Sequence, residues 1–178
     1  MKTKGAIHML CLIAKLDDGA SEKLNAIRKA ALPEHERGKP VYGHITLASY
    51  LGERETAFVQ SCRELLAKTP AFEITYESVE ALKETCIIVA KPGNSETLTA
   101  LHRRIAEKHG DHLDLWTQDD RWYPHTTLFY GPDADLDHIC GAMAGHFFPF
   151  RAEVVRFELS RVLPDGYEIV DRIALLPC

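Results

Sequence analysis

Two hexapeptides of this 178-residue chain carry the same four residues in the same order. The first is YGHITL at residues 42–47, and the second is YPHTTL at residues 123–128. From the composition of the chain, an H-x-T-L pattern is expected by chance about 0.06 times, and two copies about 0.002 times. The repetition therefore indicates that the chain is built from two related halves, each with one copy of the motif.

Each motif is typical of a β-strand that presents its polar residues on one face. Residues i and i+2 of a strand point to the same side, so the histidine and the threonine of each copy share a face. If the two halves pack around a pseudo-twofold axis, His44 and Thr46 face His125 and Thr127 across a cleft. A lone histidine on a strand is more often structural than catalytic, and the duplication is what favours a functional interpretation.

A pair of facing imidazoles is suited to acid–base chemistry near neutral pH. The ordinary pKa of histidine is about 6.5, so one imidazole can act as general base and the other as general acid. Threonine hydroxyls are neutral donors that suit the non-bridging oxygens of a phosphate. Such a site fits phosphodiester chemistry in which a 2′-oxygen is the nucleophile or the leaving group, and this chemistry requires no metal.

Hydrophobic periodicity predicts short strands that alternate with amphipathic helices along the whole chain. Strands are expected at residues 6–16, 42–51, 72–79, 85–91 and 125–130, with a final hairpin at 153–162 and 167–176. Helices are expected at residues 21–32, 54–68, 95–110 and 135–144, the first with Ser21 as its N-cap.

The predicted elements repeat. Strand, helix, strand, helix, strand occurs from residue 6 to 79, and the same order returns from residue 85 with one more strand. No flexible linker separates the two parts. We therefore expect one α+β domain over residues 1–178, made of two similar lobes at approximately 1–80 and 81–178, with a shared site near the pseudo-twofold axis.

Composition limits the binding partners and the cellular compartment that we expect for this protein. There are 21 Lys and Arg against 26 Asp and Glu, a net charge of -5, which argues against a long basic track for a nucleic-acid duplex. The five widely spaced cysteines contain no C-x-x-C pair, which argues against a disulfide framework or a zinc ribbon. No apolar run reaches the length of a bilayer span. We expect a cytoplasmic monomer that binds neither a membrane nor a long duplex.

The two H-x-T-x motifs, on matched strands of a duplicated α+β chain, resemble those of the two-histidine (2H) phosphoesterase superfamily. This superfamily includes 2′-5′ RNA ligase-like proteins and RNA 2′,3′-cyclic phosphodiesterases. The resemblance implies that His44 and His125 are the acid/base pair and that Thr46 and Thr127 bind phosphate. It also implies a bilobal fold in which two antiparallel sheets, flanked by helices, enclose a central groove.

Four further residues are candidates for substrate binding. Tyr42 and Tyr123 precede the motif histidines by two residues, so they either contact the substrate or pack at the rim of the site. Arg121 and Trp122 lie in the polar and aromatic loop before the second motif, together with Trp116. An arginine with aromatic neighbours can hold a phosphate and stack a base, although a solvated loop is the simpler interpretation.

The hypothesis that follows is a phosphoesterase without metal or cofactor that hydrolyses a cyclic phosphate or a 2′-linked phosphodiester. Its expected partner is a small nucleotide or an RNA end that carries such a phosphate. Ligation of a 5′-hydroxyl to a cyclic phosphate end, which is the reverse reaction, is the alternative enzymatic activity. A non-catalytic module that binds a phosphorylated nucleotide is the alternative of a different class. The near-symmetry of the motifs leaves open which histidine is the acid and which is the base.

Overall fold

The computed structural model describes residues 9–177, and the described chain confirms the predicted α+β class and order of elements. The strands are β1 (Leu10–Leu16), β2 (His44–Tyr50), β3 (Phe72–Leu82), β4 (Ile87–Pro92), β5 (Thr126–Tyr130), β6 (Phe150–Leu163) and β7 (Gly166–Ala174). The helices are α1 (Asp18–Ala31), α2 (Glu55–Leu66), α3 (Glu96–His109) and α4 (Leu136–Gly145). Residues 6–8 of the predicted first strand lie outside the described range. Within residues 9–177, no helix has both the length and the apolar character needed to cross a membrane.

The strands form one antiparallel sheet in the order β2-β1-β6-β3-β4-β5, and β7 also pairs with β6. This corrects the expectation of two separate sheets, and the cause is the length of β6. Its first five residues, 150–154, pair with β3, whereas residues from 154 onward pair with β1 and residues from 156 onward with β7. A 14-residue strand spans about 45 Å, so a single strand reaches both groups of partners.

The strand order is symmetric with respect to the two predicted halves. Exchanging β1 with β4, β2 with β5 and β3 with β6 turns the order β2-β1-β6-β3-β4-β5 into its own reverse. This is the pairing that a duplicated chain would have. The bilobal duplication itself stays a prediction.

The first helix begins earlier than the sequence pattern predicts. Asp17, and not Ser21, is its N-cap, because the Asp17 carboxylate accepts a 2.8 Å hydrogen bond from the backbone N–H of Ala20. The other carboxylate oxygen accepts from the backbone N–H of Glu153 at 2.8 Å. Ser21 lies inside the helix, and its hydroxyl donates to the Asp17 carbonyl. The Asp17 side chain therefore caps α1 and also links it to β6 through a hydrogen bond.

The sheet brings its two edge strands, β2 and β5, into contact with each other. Thr126 is buried at this junction, and its hydroxyl donates a 2.7 Å hydrogen bond to the backbone carbonyl of His44. The buried hydroxyl of Tyr76, in β3, lies 2.6 Å from the Thr126 hydroxyl. Since the Thr126 proton is directed at the carbonyl, Tyr76 is the donor in this second bond. The junction sets the two motif strands side by side.

We expect Thr126→Val to destabilise the fold by about 1–3 kcal/mol, because it removes the hydroxyl that pairs with the buried Tyr76 hydroxyl and with the His44 carbonyl. Urea denaturation followed by circular dichroism measures this change. Thr127→Val is the matched control, because the Thr127 side chain is exposed and its neighbour's bonds are unaffected. Equal stability of the two variants would contradict the role of the Thr126 hydroxyl at the junction.

Candidate active site

Both motifs alternate between a face that is open and a face that is buried. In residues 44–47, the histidine and the threonine are half-buried, while the isoleucine and the leucine are fully buried. In residues 125–128, the histidine is half-buried and its i+2 threonine is exposed, while the residues between and after them are buried. Apolar burial of one face therefore directs the polar face of each strand away from the core, as the period-two pattern predicts.

The surroundings of both motif imidazoles lower their pKa. Burial, together with the charge that His125 would carry and the Lys15 ammonium, lowers the pKa of His44 from its ordinary value of 6.5 to about 4. Burial also lowers the pKa of His125, and a hydrogen bond to the Tyr123 backbone opposes this shift. Both shifts favour the neutral form of the imidazole.

Hydrogen bonding distinguishes the two imidazoles. Nδ1 of His125 lies 2.6 Å from the backbone carbonyl of Tyr123 and must be the donor, since a carbonyl can only accept. This bond fixes the tautomer and leaves Nε2 available to a ligand. Nδ1 of His44 is buried and has no hydrogen-bond partner among residues 9–177.

A buried carboxylate holds the tyrosine that precedes the first motif. The Tyr42 hydroxyl donates a 2.9 Å hydrogen bond to Glu158, which is fully buried. Arg156 donates to the other carboxylate oxygen at 2.7 Å. Burial opposes ionisation of Glu158, but the bonds from Arg156 and Tyr42 outweigh it and lower the pKa of this carboxyl group. The Lys15 ammonium lies 4.6 Å from the centre of the Tyr42 ring.

The tyrosine before the second motif has equivalent partners. The Tyr123 hydroxyl donates a 2.7 Å hydrogen bond to Glu80. The Lys91 ammonium lies 3.4 Å from the other Glu80 oxygen and 5.3 Å from the centre of the Tyr123 ring. The bond from Tyr123 is the largest of the effects that lower the pKa of Glu80. Each motif tyrosine thus donates to a glutamate from the other half of the chain and has a lysine beside its ring, although the cation that contacts the carboxylate is Arg156 in one case and Lys91 in the other.

Strand register places the two lysines and the two glutamates at matching positions around the two motifs. Lys15 pairs with His44 across β1 and β2. Lys91 follows directly after the last residue pair between β4 and β5, which sets it level with His125. Glu158 pairs with Ile13, two positions before Lys15, and Glu80 pairs with Val89, two positions before Lys91.

Sequence reasoning proposed the two tyrosines as substrate ligands and missed the lysines and glutamates around them. Both tyrosine hydroxyls are engaged with carboxylates, so the structure gives them partners within the protein. A signal for the lysines is present in the chain, because IAKL at residues 13–16 and VAKP at residues 89–92 are similar and each carries one lysine in an apolar strand. The glutamates carry no comparable signal, since their role depends on strand pairing.

Trp122 supports the first motif from the second half of the chain. Its indole N–H donates to the backbone carbonyl of Thr46 at 2.9 Å. One face of its ring stacks on His102 of α3, with 4.2 Å between ring centres. The His102 imidazole donates in turn to the carbonyl of Leu47 at 2.8 Å. These contacts give Trp122 a supporting role at the first motif, and its binding of substrate stays a prediction.

A cavity of about 850 Å³ lies beside His125. It is lined by residues 81–85 and Ile87, which run from the end of β3 to the start of β4, and by Trp116, Arg121, Tyr123, His125 and Tyr130. Arg121, proposed from the sequence, therefore shares a cavity with one motif histidine. Among residues 9–177, no group of three or more His, Cys, Asp or Glu side chains is arranged to hold a metal ion.

The chain is similar to one protein family and to several solved structures. The sequence model of the 2′-5′ RNA ligase superfamily matches residues 16–166, which include both motifs. The crystal structure of E. coli LigT complexed with 3′-AMP matches with 19% identity, 94% of this chain, 98% of that chain and a TM-score of 0.67. The crystal structure of TT0787 from Thermus thermophilus matches with 17% identity, 94% and 97% coverage, and a TM-score of 0.68. No curated protein sequence matches the chain significantly.

Acidification is expected to destabilise the fold through His44. Its pKa of about 4 lies below the ordinary value of 6.5, so between these values the unfolded chain binds more protons than the folded protein. The free energy of unfolding therefore falls as the pH falls from 6.5 to 4, and is unaffected by His44 above this window. The full shift corresponds to a loss of about 3 kcal/mol.

Urea denaturation between pH 7 and pH 4 tests this expectation in the wild type and in His44→Gln. The other buried histidines titrate in both proteins, so the difference between the two profiles isolates His44. The variant should lose less stability on acidification, by up to about 3 kcal/mol. Parallel profiles would show that His44 is not held neutral by the fold.

Proposed function

Because this chain belongs to the 2′-5′ RNA ligase superfamily, whose members are 2H phosphoesterases, we propose that it hydrolyses a cyclic phosphate or a 2′-linked phosphodiester without a metal. The proposed substrate class is RNA 2′,3′-cyclic phosphate ends and related nucleotides. The observation that supports this proposal is the contact between β2 and β5, because His44 is the first residue of β2 and His125 directly precedes β5. The structures of LigT with 3′-AMP and with phosphate add support.

In the proposed reaction, one imidazole removes a proton from the attacking water and the other protonates the departing ribose oxygen. The bond between phosphorus and that oxygen breaks as the bond from water to phosphorus forms. Neutral imidazoles suit the first role directly. The second role requires a proton on one ring, and an anionic phosphate bound between His44 and His125 favours that proton by raising the pKa of both rings.

The threonines are proposed to bind the non-bridging oxygens of the phosphate. Thr46 and Thr127 lie two residues after the motif histidines, on the same face of their strands. Their hydroxyls can donate to charge that develops on the phosphate, without attracting the cations that a carboxylate would attract. Arg121, beside His125 in the cavity, is the proposed cationic contact of the second half.

The reverse reaction uses the same groups. A 5′-hydroxyl in the position of the attacking water, activated by the same imidazole, would open the cyclic phosphate to form a 2′-linked phosphodiester. Incubation with a 5′-hydroxyl acceptor in excess, followed by analysis of the linkage formed, separates ligation from hydrolysis. Nucleotide binding without turnover on any of these substrates would instead indicate a non-catalytic binding module.

Replacing either motif histidine by alanine is expected to lower kcat for a nucleoside 2′,3′-cyclic phosphate by at least about 10²-fold, because each provides one half of the acid–base pair. His35→Ala is the matched control, because this histidine is exposed outside the site. Circular dichroism establishes that each variant is folded. An unchanged kcat in His44→Ala or in His125→Ala would exclude the proposed pair.

Hydrolysis is expected to proceed unchanged after removal of divalent metals, because the imidazoles and hydroxyls supply the proton transfer and the charge stabilisation. The measurement is the rate on a nucleoside 2′,3′-cyclic phosphate before and after dialysis against EDTA. Loss of activity that a divalent metal restores would contradict the metal-independent reaction.

A further inference from the structure

The cavity beside His125 belongs to one side of the candidate site only. It is formed by the second motif, the β3–β4 connection and the loop before β5, and no residue of the first motif lines it. Its volume of about 850 Å³ falls within the range of small-molecule sites. The two motif histidines occupy related positions in the chain, but this cavity is lined by His125 and not by His44.

Two large aromatic side chains line this cavity and are exposed to solvent. Trp116 is 43% exposed and Tyr130 is 66% exposed. Ring surfaces of this size gain free energy when a flat apolar ligand covers them, and every nucleobase offers such a face. The cavity thus combines aromatic rings with direct access to a motif histidine.

Trp116 is held in place by its backbone. It lies in the short 3₁₀ turn Leu115–Thr117, where its N–H donates to the Asp114 side chain at 3.0 Å. Thr117 anchors the turn, because its buried hydroxyl accepts a hydrogen bond from the Ser49 N–H at 3.1 Å. An aromatic side chain on an anchored turn loses little conformational freedom when a ligand binds.

The same turn explains why the cavity is one-sided. Tyr130 lies five residues after His125, and the residue five positions after His44 is Ser49. Ser49 is buried, and its carbonyl accepts a hydrogen bond from the Asp114 N–H at 2.8 Å. The loop therefore covers this position in the first half, while its counterpart in the second half stays open as a cavity wall.

We propose that this cavity binds the nucleobase of the substrate, stacked against Trp116 and Tyr130, while the phosphate lies between His44 and His125. The location of the phosphate rests on the proposed function. The substrate class narrows accordingly to phosphodiesters with an aromatic nucleoside on the His125 side of the phosphate, and Trp116 and Tyr130 determine this specificity.

Binding measurements test the assignment independently of catalysis. Isothermal titration calorimetry compares a nucleoside 3′-monophosphate with inorganic phosphate in the wild type, Trp116→Ala and Tyr130→Ala. Each substitution should weaken nucleotide binding by about tenfold or more, the usual effect of removing one stacked ring, and should leave phosphate binding unchanged. Phe148→Ala, which removes a 78% exposed ring outside this cavity, should change neither. Absence of nucleotide binding in the wild type, or equal effects on both ligands, would overturn the proposal.

Turnover distinguishes a failure of this proposal from a failure of the proposed function. The same variants are assayed on a nucleoside 2′,3′-cyclic phosphate and on ethylene glycol cyclic phosphate, which has no base. The cavity assignment requires that kcat/KM falls only for the nucleoside substrate, and an equal fall for both overturns it while the phosphoesterase activity stands. Ring-dependent nucleotide binding without turnover on either substrate would refute the activity and retain the cavity assignment.

Discussion

The hydrogen bond from the Thr126 hydroxyl to the His44 carbonyl joins two strands that stand at opposite ends of the strand order. Its donor, Thr126, is buried, and the buried Tyr76 hydroxyl reinforces the bond from β3. An unpaired hydroxyl or carbonyl at this position would cost free energy, so the junction is specific as well as stabilising. The candidate site depends on it, because one motif imidazole lies at the start of β2 and the other lies directly before β5.

The surroundings of the two motif imidazoles favour their neutral form before a ligand binds. Burial is the largest cause of the lowered pKa at both His44 and His125. Each neighbouring tyrosine donates to a carboxylate that a cation also contacts, so the negative charges of Glu80 and Glu158 are balanced locally. An anionic phosphate would therefore enter a site whose nearest titratable rings can gain a proton on binding.

The second half of the chain contributes more to the site than the first. Trp122 and His102 support the backbone of the first motif, and the turn at residues 115–117 covers the outer part of β2. The covering turn places Trp116 in the cavity beside His125. The strand order is symmetric, but the surface around the site is not. The same loop covers part of β2 in the first half and lines the cavity beside His125 in the second.

The amino-acid sequence by itself determined the α+β class, the order of elements and the alternation of both motifs, since period-two and helical burial patterns are local properties. It could not determine that one 14-residue strand joins both parts of the sheet, or that Glu158 and Glu80 hold the motif tyrosines. Nor could it determine that Asp17 replaces Ser21 as the N-cap of the first helix, or that the Trp122 indole donates to a carbonyl of the first motif. Only the tertiary structure decided these contacts, because hydrogen bonds between residues far apart in the chain depend on strand register and on how the sheet brings its edges together.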